Sequence, residues 1–151
     1  MAKKKSIDQP QPFPGFGFVI GQVIIGHSIV WNQIEAIDLE KLQLQVSWEF
    51  QGDRASGEIN IQLLIKFFLE GNEKVSLMTN NHFKVYSPKI LEKEEQDGLP
   101  LGFLRTLVNI SIGTARGILI PLTANSFWRD YPLPIQNIAE IVPDGTIKHL
   151  S

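Results

Sequence analysis

The sequence predicts an α+β domain, with a four-stranded antiparallel sheet followed by one long helix and a short C-terminal helix. Three observations predict it. Leu42, Leu44, Val46, Trp48 and Phe50 alternate strictly with Gln43, Gln45, Ser47, Glu49 and Gln51. Successive strand side chains point to opposite faces, so this is a half-buried strand. The same alternation returns in Ile59, Ile61, Leu63, Ile65, Phe67 and Leu69. At Leu101 the period changes, and Leu101, Leu104, Leu107, Val108, Ile112, Ala115 and Leu119 recur at helical spacing.

Residues 1–14 hold Lys3, Lys4 and Lys5 with Pro10, Pro12 and Pro14. They read as a disordered or extended tail, and 15–151 as a single domain. Gly17–Trp31 is a first strand with apolar residues at both parities, which calls for cover on both faces. Asn32–Lys41 is a connection and Gly52–Gly57 a turn. Glu70-Gly71-Asn72-Glu73 is a tight hairpin. Val75–Ser87 is the fourth strand, with Val75, Leu77, Phe83 and Val85 on one face and Met78 and Tyr86 on the other. The short connections make the last three strands an antiparallel meander. Pro88–Gly98 is a loop carrying Glu92, Glu94, Glu95 and Asp97.

Pro100 suits the first position of the long helix, where its missing N–H costs nothing. Pro121 must weaken the helix near its end, because its ring opposes the carbonyl of Gly117. Ser111, Gly113 and Gly117 make one stretch of this helix small. A helical glycine costs about 1 kcal/mol relative to alanine, so two of them four apart suggest that another backbone comes close. Tyr131-Pro132-Leu133-Pro134-Ile135 is extended, Asn137 with Glu140 forms a capping box for the short helix, and Pro143 and Gly145 stop it.

Composition narrows the function. The 151 residues are the size of one domain, with 43% apolar and 20% charged residues. A net charge of -2 gives no field that would draw nucleic acid or a membrane surface. No cysteine is present, which removes disulfides, thiolate metal sites and thiol catalysis. The lysines near the N-terminus lack a following apolar run, so no signal peptide is expected. No stretch reads as a membrane span, and the expected location is cytoplasmic.

No motif points to an enzyme or to a cofactor. His27, His82 and His149 form no ligand spacing, and they read as strand or surface histidines. Gly15-Phe16-Gly17 with Gly21 lacks the strand and helix that a nucleotide loop needs. The run Glu92, Glu94, Glu95 and Asp97 reads as a solvated loop rather than a cation site. Trp48 shares the register of Leu44, Val46 and Phe50, so its expected role is core packing. Trp31, Phe127 and Trp128 fall at element ends. There they either anchor an apolar segment of a partner or close the ends of the sheet as a satellite cluster.

The element order, together with three short stretches, resembles the family of the bacterial export chaperone SecB. Leu133-Pro134-Ile135-Gln136-Asn137-Ile138 is similar to the run that leads into that family's last helix. Val75–Ser87, with Asn80-Asn81 at its middle, is similar to the family's fourth strand. Thr114-Ala115-Arg116-Gly117-Ile118-Leu119 with Tyr131-Pro132-Leu133-Pro134-Ile135 looks like a SecB-like branch. The family's Gly-Phe-Pro-Pro-Leu run is replaced by the region of Ser126-Phe127-Trp128. The first strand carries none of the acidic residues with which the family docks the export ATPase SecA, so SecA docking is not carried over.

The resemblance implies that both helices are packed on one face of the sheet, and it implies a homo-oligomer, a dimer or tetramer, whose apolar grooves hold unfolded or partly folded polypeptide. The expected client surface is what the core leaves unclaimed. Strand parity selects Leu64, Phe68, Met78 and Tyr86, with Trp31, Phe127 and Trp128 at element ends. Ser111, Gly113 and Gly117 are the expected oligomer-facing residues. A small-molecule domain with an apolar pocket between sheet and helix, or a structural subunit of a larger assembly, stands as the alternative.

Overall fold

A computed structural model describes residues 18–29, 38–86, 98–125, 127–131, 133–134 and 136–151. The acidic loop around Glu94, and Trp31, lie outside the described residues. Three strands run as the predicted meander: β2 (Leu42–Asp53), β3 (Glu58–Leu69) and β4 (Asn72–Val85). β2 pairs antiparallel with β3, Val46 opposite Ile65, and β3 with β4, Ile65 opposite Leu77. The backbone of Phe18–Ile29 (β1) lies antiparallel beside β4, with Ile24 opposite Asn80. The strand order is β1-β4-β3-β2, so β2 is an edge.

Local chemistry sets the turns. Glu70 and Gly71 both have positive φ, 52° and 78°, as a two-residue hairpin that follows the twist of its strands requires. Between β2 and β3 the Asp53 carboxylate accepts the N–H groups of Ala55 and Ser56 at 3.2 and 3.1 Å. A hydrogen bond from the Ser56 side chain, aided by these N–H groups, holds the Asp53 carboxyl below the usual carboxylate range. The folded value is the lower one, so the carboxylate's support of the turn is present above the unfolded value. It fades as the pH falls through the folded one.

The core forms where two periodicities meet. Ile59, Ile61, Leu63, Ile65, Phe67 and Leu69 are buried on the inner face of β3, as their alternation predicts. Val75, Leu77, Phe83 and Val85 continue that face on β4. Over them lies α1 (Leu101–Thr123), with Phe103, Leu104, Leu107, Val108, Ile112, Ala115 and Leu119 buried. Thr79 and Asn81 are also buried on the inner face, and they satisfy each other. Asn81 Nδ2 donates to Thr79 Oγ1 at 3.0 Å and to the carbonyl of Ile61 at 3.3 Å.

One helix expectation, on Pro100, is corrected, and the other, a weakening near Pro121, is met. Pro100 sits just before the first helical residue, with φ -54° and ψ 130°, and its carbonyl accepts the N–H of Leu104. The helix runs two residues past Pro121 before it ends. A second correction is that α1 is long and apolar enough, by length and composition, to cross a membrane, where no such stretch was expected. Its apolar row is buried against the sheet, which is the pattern of a core helix.

After α1 a 3-10 turn (Phe127–Asp130) leads into the extended segment. Arg116 donates from Nε to the carbonyl of Leu133 and from Nη2 to that of Pro134, both at 3.0 Å. The two stretches that the sequence singled out together are therefore bonded to each other. Asn137 caps the short helix α2 (Ile138–Ile141) by accepting the N–H of Ala139 at 3.1 Å. Its Nδ2 donates to Glu140 Oε1 at 2.9 Å, so the box closes side chain to side chain. Asn137→Ala is expected to lower stability by about 1 kcal/mol, read as a fall of about 2–4 °C in Tm.

Residues 136–151 strap one end of the sheet. Trp48 Nε1 donates to the carbonyl of Ile141 at 2.9 Å, and Arg105 Nε to that of Val142 at 3.0 Å. Leu150 is buried against Gly52, where any Cβ would collide with it.

Candidate functional site

Along its outer side the backbone of β2 is left open by the described residues. In an antiparallel ladder alternate residues bond inward and outward. Lys41 faces β3, because its carbonyl accepts the N–H of Glu70. Gly52 faces outward, because its carbonyl accepts the N–H of Ser151 at 2.9 Å. The even-numbered residues Leu42, Leu44, Val46, Trp48 and Phe50 therefore present their N–H and C=O groups to the outside. No described residue pairs with them. Ser151 bonds only at Gly52 and Arg54, the far end of the strand.

Natural sheets guard such edges with lysine, proline or bulges. Leu42–Asp53 contains no lysine and no proline, and its pairing with β3 has no register shift. The same even-numbered residues point their side chains to the helix side, where all five are half-buried against the core. The odd row, from Gln43 to Gln51, is exposed and polar. The site is thus an open ladder roughly 30 Å long with an apolar shelf beneath it. Lys148 makes a cation contact with it, its Nζ 5.3 Å from the Trp48 ring centre.

The residues selected by parity are only partly gathered. Leu64 and Met78 are directly paired on the outer face of the sheet, Leu64 half-buried and Met78 36% exposed. Gln62 Nε2 donates to the Met78 sulfur at 3.2 Å. Phe68, half-buried, and Tyr86, 59% exposed, lie toward opposite ends of that face. The amides of Gln62 and Asn80 lie beside the Leu64–Met78 pair, with Asn60 beyond them, so among the described residues the outer face is not a continuous apolar surface. Trp128 is a correction. It is 2% exposed and packs on Phe67 and Tyr131, with ring centres 6.0 and 6.3 Å away. It therefore belongs to a cluster that closes the sheet end. Of Phe127 only the backbone position is described.

The helix residues separate as well. Ser111 is buried, and its hydroxyl donates to the carbonyl of Leu107 at 3.0 Å. It therefore faces the sheet and not an oligomer. Gly113 and Gly117 are exposed, and a Cβ at either would meet nothing within 4 Å. In the dissociated protomer, at a dilution where no oligomer forms, Gly117→Ala is then expected to stabilise by up to about 1 kcal/mol, seen as a higher midpoint in urea with an unchanged slope. A loss of stability would mean that a neighbouring backbone occupies that space.

A separate pocket of about 200 Å³ lies at the C-terminal end of α1. Phe67, Val75, Leu119, Trp128, Tyr131 and Leu133 line it, and Arg116 and Arg129 add two guanidinium groups. Among the described residues no cluster of His, Asp and Glu could hold a metal ion. Comparison of the chain with protein-family models, with curated proteins and with solved structures gives no match.

The shelf residues Leu44, Val46, Trp48 and Phe50 were read from the sequence as core. Alternation separates two faces of a strand but does not say which strand is an edge. The signal that was present is the lack of lysine and proline in a strand whose odd row is wholly polar.

Proposed function

We propose that this chain is a chaperone-like binding module, in which an extended segment of an unfolded or partly folded polypeptide adds as a strand to β2. The open outer ladder of Leu42–Phe50 above a half-buried apolar row carries the proposal. Main-chain hydrogen bonds give such a site affinity for any extended chain, and alternate side chains reach the shelf. The resemblance to the SecB family supports the same reading, and with it a SecB-like four-stranded arrangement, a cytoplasmic setting and a homo-oligomer. No catalytic step is part of the proposal. In the oligomer the exposed Gly113–Gly117 side of α1 is the expected contact, and Gly117→Leu should dissociate it in light scattering.

Binding of reduced, carboxymethylated α-lactalbumin tests the function. The expected affinity is micromolar or better, a free energy of about 8 kcal/mol or more. Hydrogen exchange gives the location. The N–H groups of Leu44, Val46, Trp48 and Phe50 should exchange fast in the free protein and slowly in the complex. Those of Gln43, Gln45 and Ser47, already bonded to β3, should change little. Protection confined to the outer face around Leu64 and Met78 would move the site there, and absence of binding would end the chaperone reading.

A further inference from the structure

The pocket at the end of α1 carries charge that its apolar walls do not explain. Arg116 is partly buried, and its guanidinium donates to two backbone carbonyls, those of Leu133 and Pro134. Its positive charge faces the pocket, and no acid among the described residues pairs with it. Arg129 is exposed, and its nearest acid is the adjacent Asp130, at 3.4 Å. The last turn of α1 contributes only about half a negative charge. The balance at the mouth stays positive, and a guanidinium offers N–H donors in the fork geometry that matches a carboxylate.

Size limits the rest of the ligand. Pockets that enclose a drug-sized molecule run to about 300–1,000 Å³. At about 200 Å³ this one is smaller, close to the engineered 150 Å³ cavity that accepts benzene. We infer that the pocket binds a small apolar monocarboxylate, an aryl or short-chain aliphatic acid. Its body lies against Phe67, Leu119 and Trp128, and its carboxylate meets Arg116 with Arg129 beside it. The site is distinct from the β2 edge and does not rest on the chaperone reading.

Titration calorimetry with phenylacetate and with phenylacetamide tests the assignment. The acid should bind at least tenfold more tightly than the amide, and more weakly as salt is raised. Arg116→Gln should lower the affinity for the acid at least tenfold, and Arg129→Gln, on an exposed side chain that the fold does not need, a few-fold. A blocked tripeptide with a free C-terminal phenylalanine is the third ligand. Equal binding of acid and amide, or binding of neither, would overturn the inference. So would binding of the tripeptide without phenylacetate. The acid should bind unchanged to Val46→Pro, which separates failure of this site from failure of the β2 edge.

Discussion

Val46→Pro is expected to leave the protein folded and to abolish client binding, whereas Gln45→Pro, one residue earlier, is expected to destabilise it strongly. The two differ in the direction of the backbone N–H. That of Gln45 points to β3, opposite Lys66, inside the ladder. Proline there removes a hydrogen bond and leaves the partner carbonyl unsatisfied in the middle of a sheet. The penalty is about 3 kcal/mol, a large part of the stability of a domain this size. The N–H of Val46 points away from the sheet and bonds to no described residue. Proline is tolerated on the open side of an edge strand. The remaining loss is part of the contact made by a half-buried valine, about 1 kcal/mol. An incoming strand would meet a missing donor and a ring at the centre of the ladder, and its pairing would be broken on both sides of residue 46. Circular dichroism melts read the first effect, and binding of carboxymethylated α-lactalbumin reads the second, with at least a tenfold loss expected. Wild-type affinity in Val46→Pro would remove strand addition as the mode of binding.

Much of the fold was legible because alternation and helical spacing are local. The rows Ile59 to Leu69 and Leu104 to Leu119 could be written down from their periods, and both are buried as read. Glu70-Gly71 announced its hairpin, and both residues take the positive φ that such a turn needs. What is not local was not legible. Leu44 and Leu63 both sit in apolar rows, but Leu63 is on a strand flanked by two others and Leu44 is on the edge. Only the strand order tells them apart. Gly113 and Gly117 were correctly placed on one helical side, but Ser111, two residues before Gly113, turns inward instead. The bond of Arg116 to Leu133 and Pro134 spans 17 and 18 residues, and the two stretches were paired in the sequence only through a resemblance.

Trp128→Ala is expected to destabilise the protein by about 3–5 kcal/mol, a reversal of what its place in the sequence suggests. It follows the long helix by five residues, in a segment that reads as a connection, where an exposed aromatic anchor is a reasonable expectation. The 3-10 turn Phe127–Asp130 instead carries the indole back under the β3–β4 hairpin. There it contacts Phe67 at a tilt of 47° and Tyr131 nearly edge-on, at 68°. Removing it takes away two ring contacts and a large buried apolar area. The pocket alongside would join the new void, so collapse around the gap is hindered by walls that are already spaced apart. At about 2–4 °C per kcal/mol the melting midpoint should fall by roughly 10 °C. Tyr86→Ala is the control, an aromatic residue 59% exposed at the end of β4, and should change stability by no more than about 0.5 kcal/mol. A melt of Trp128→Ala that matches the Tyr86→Ala melt would mean that the indole is accessible in solution, which would restore it as a candidate anchor for a client.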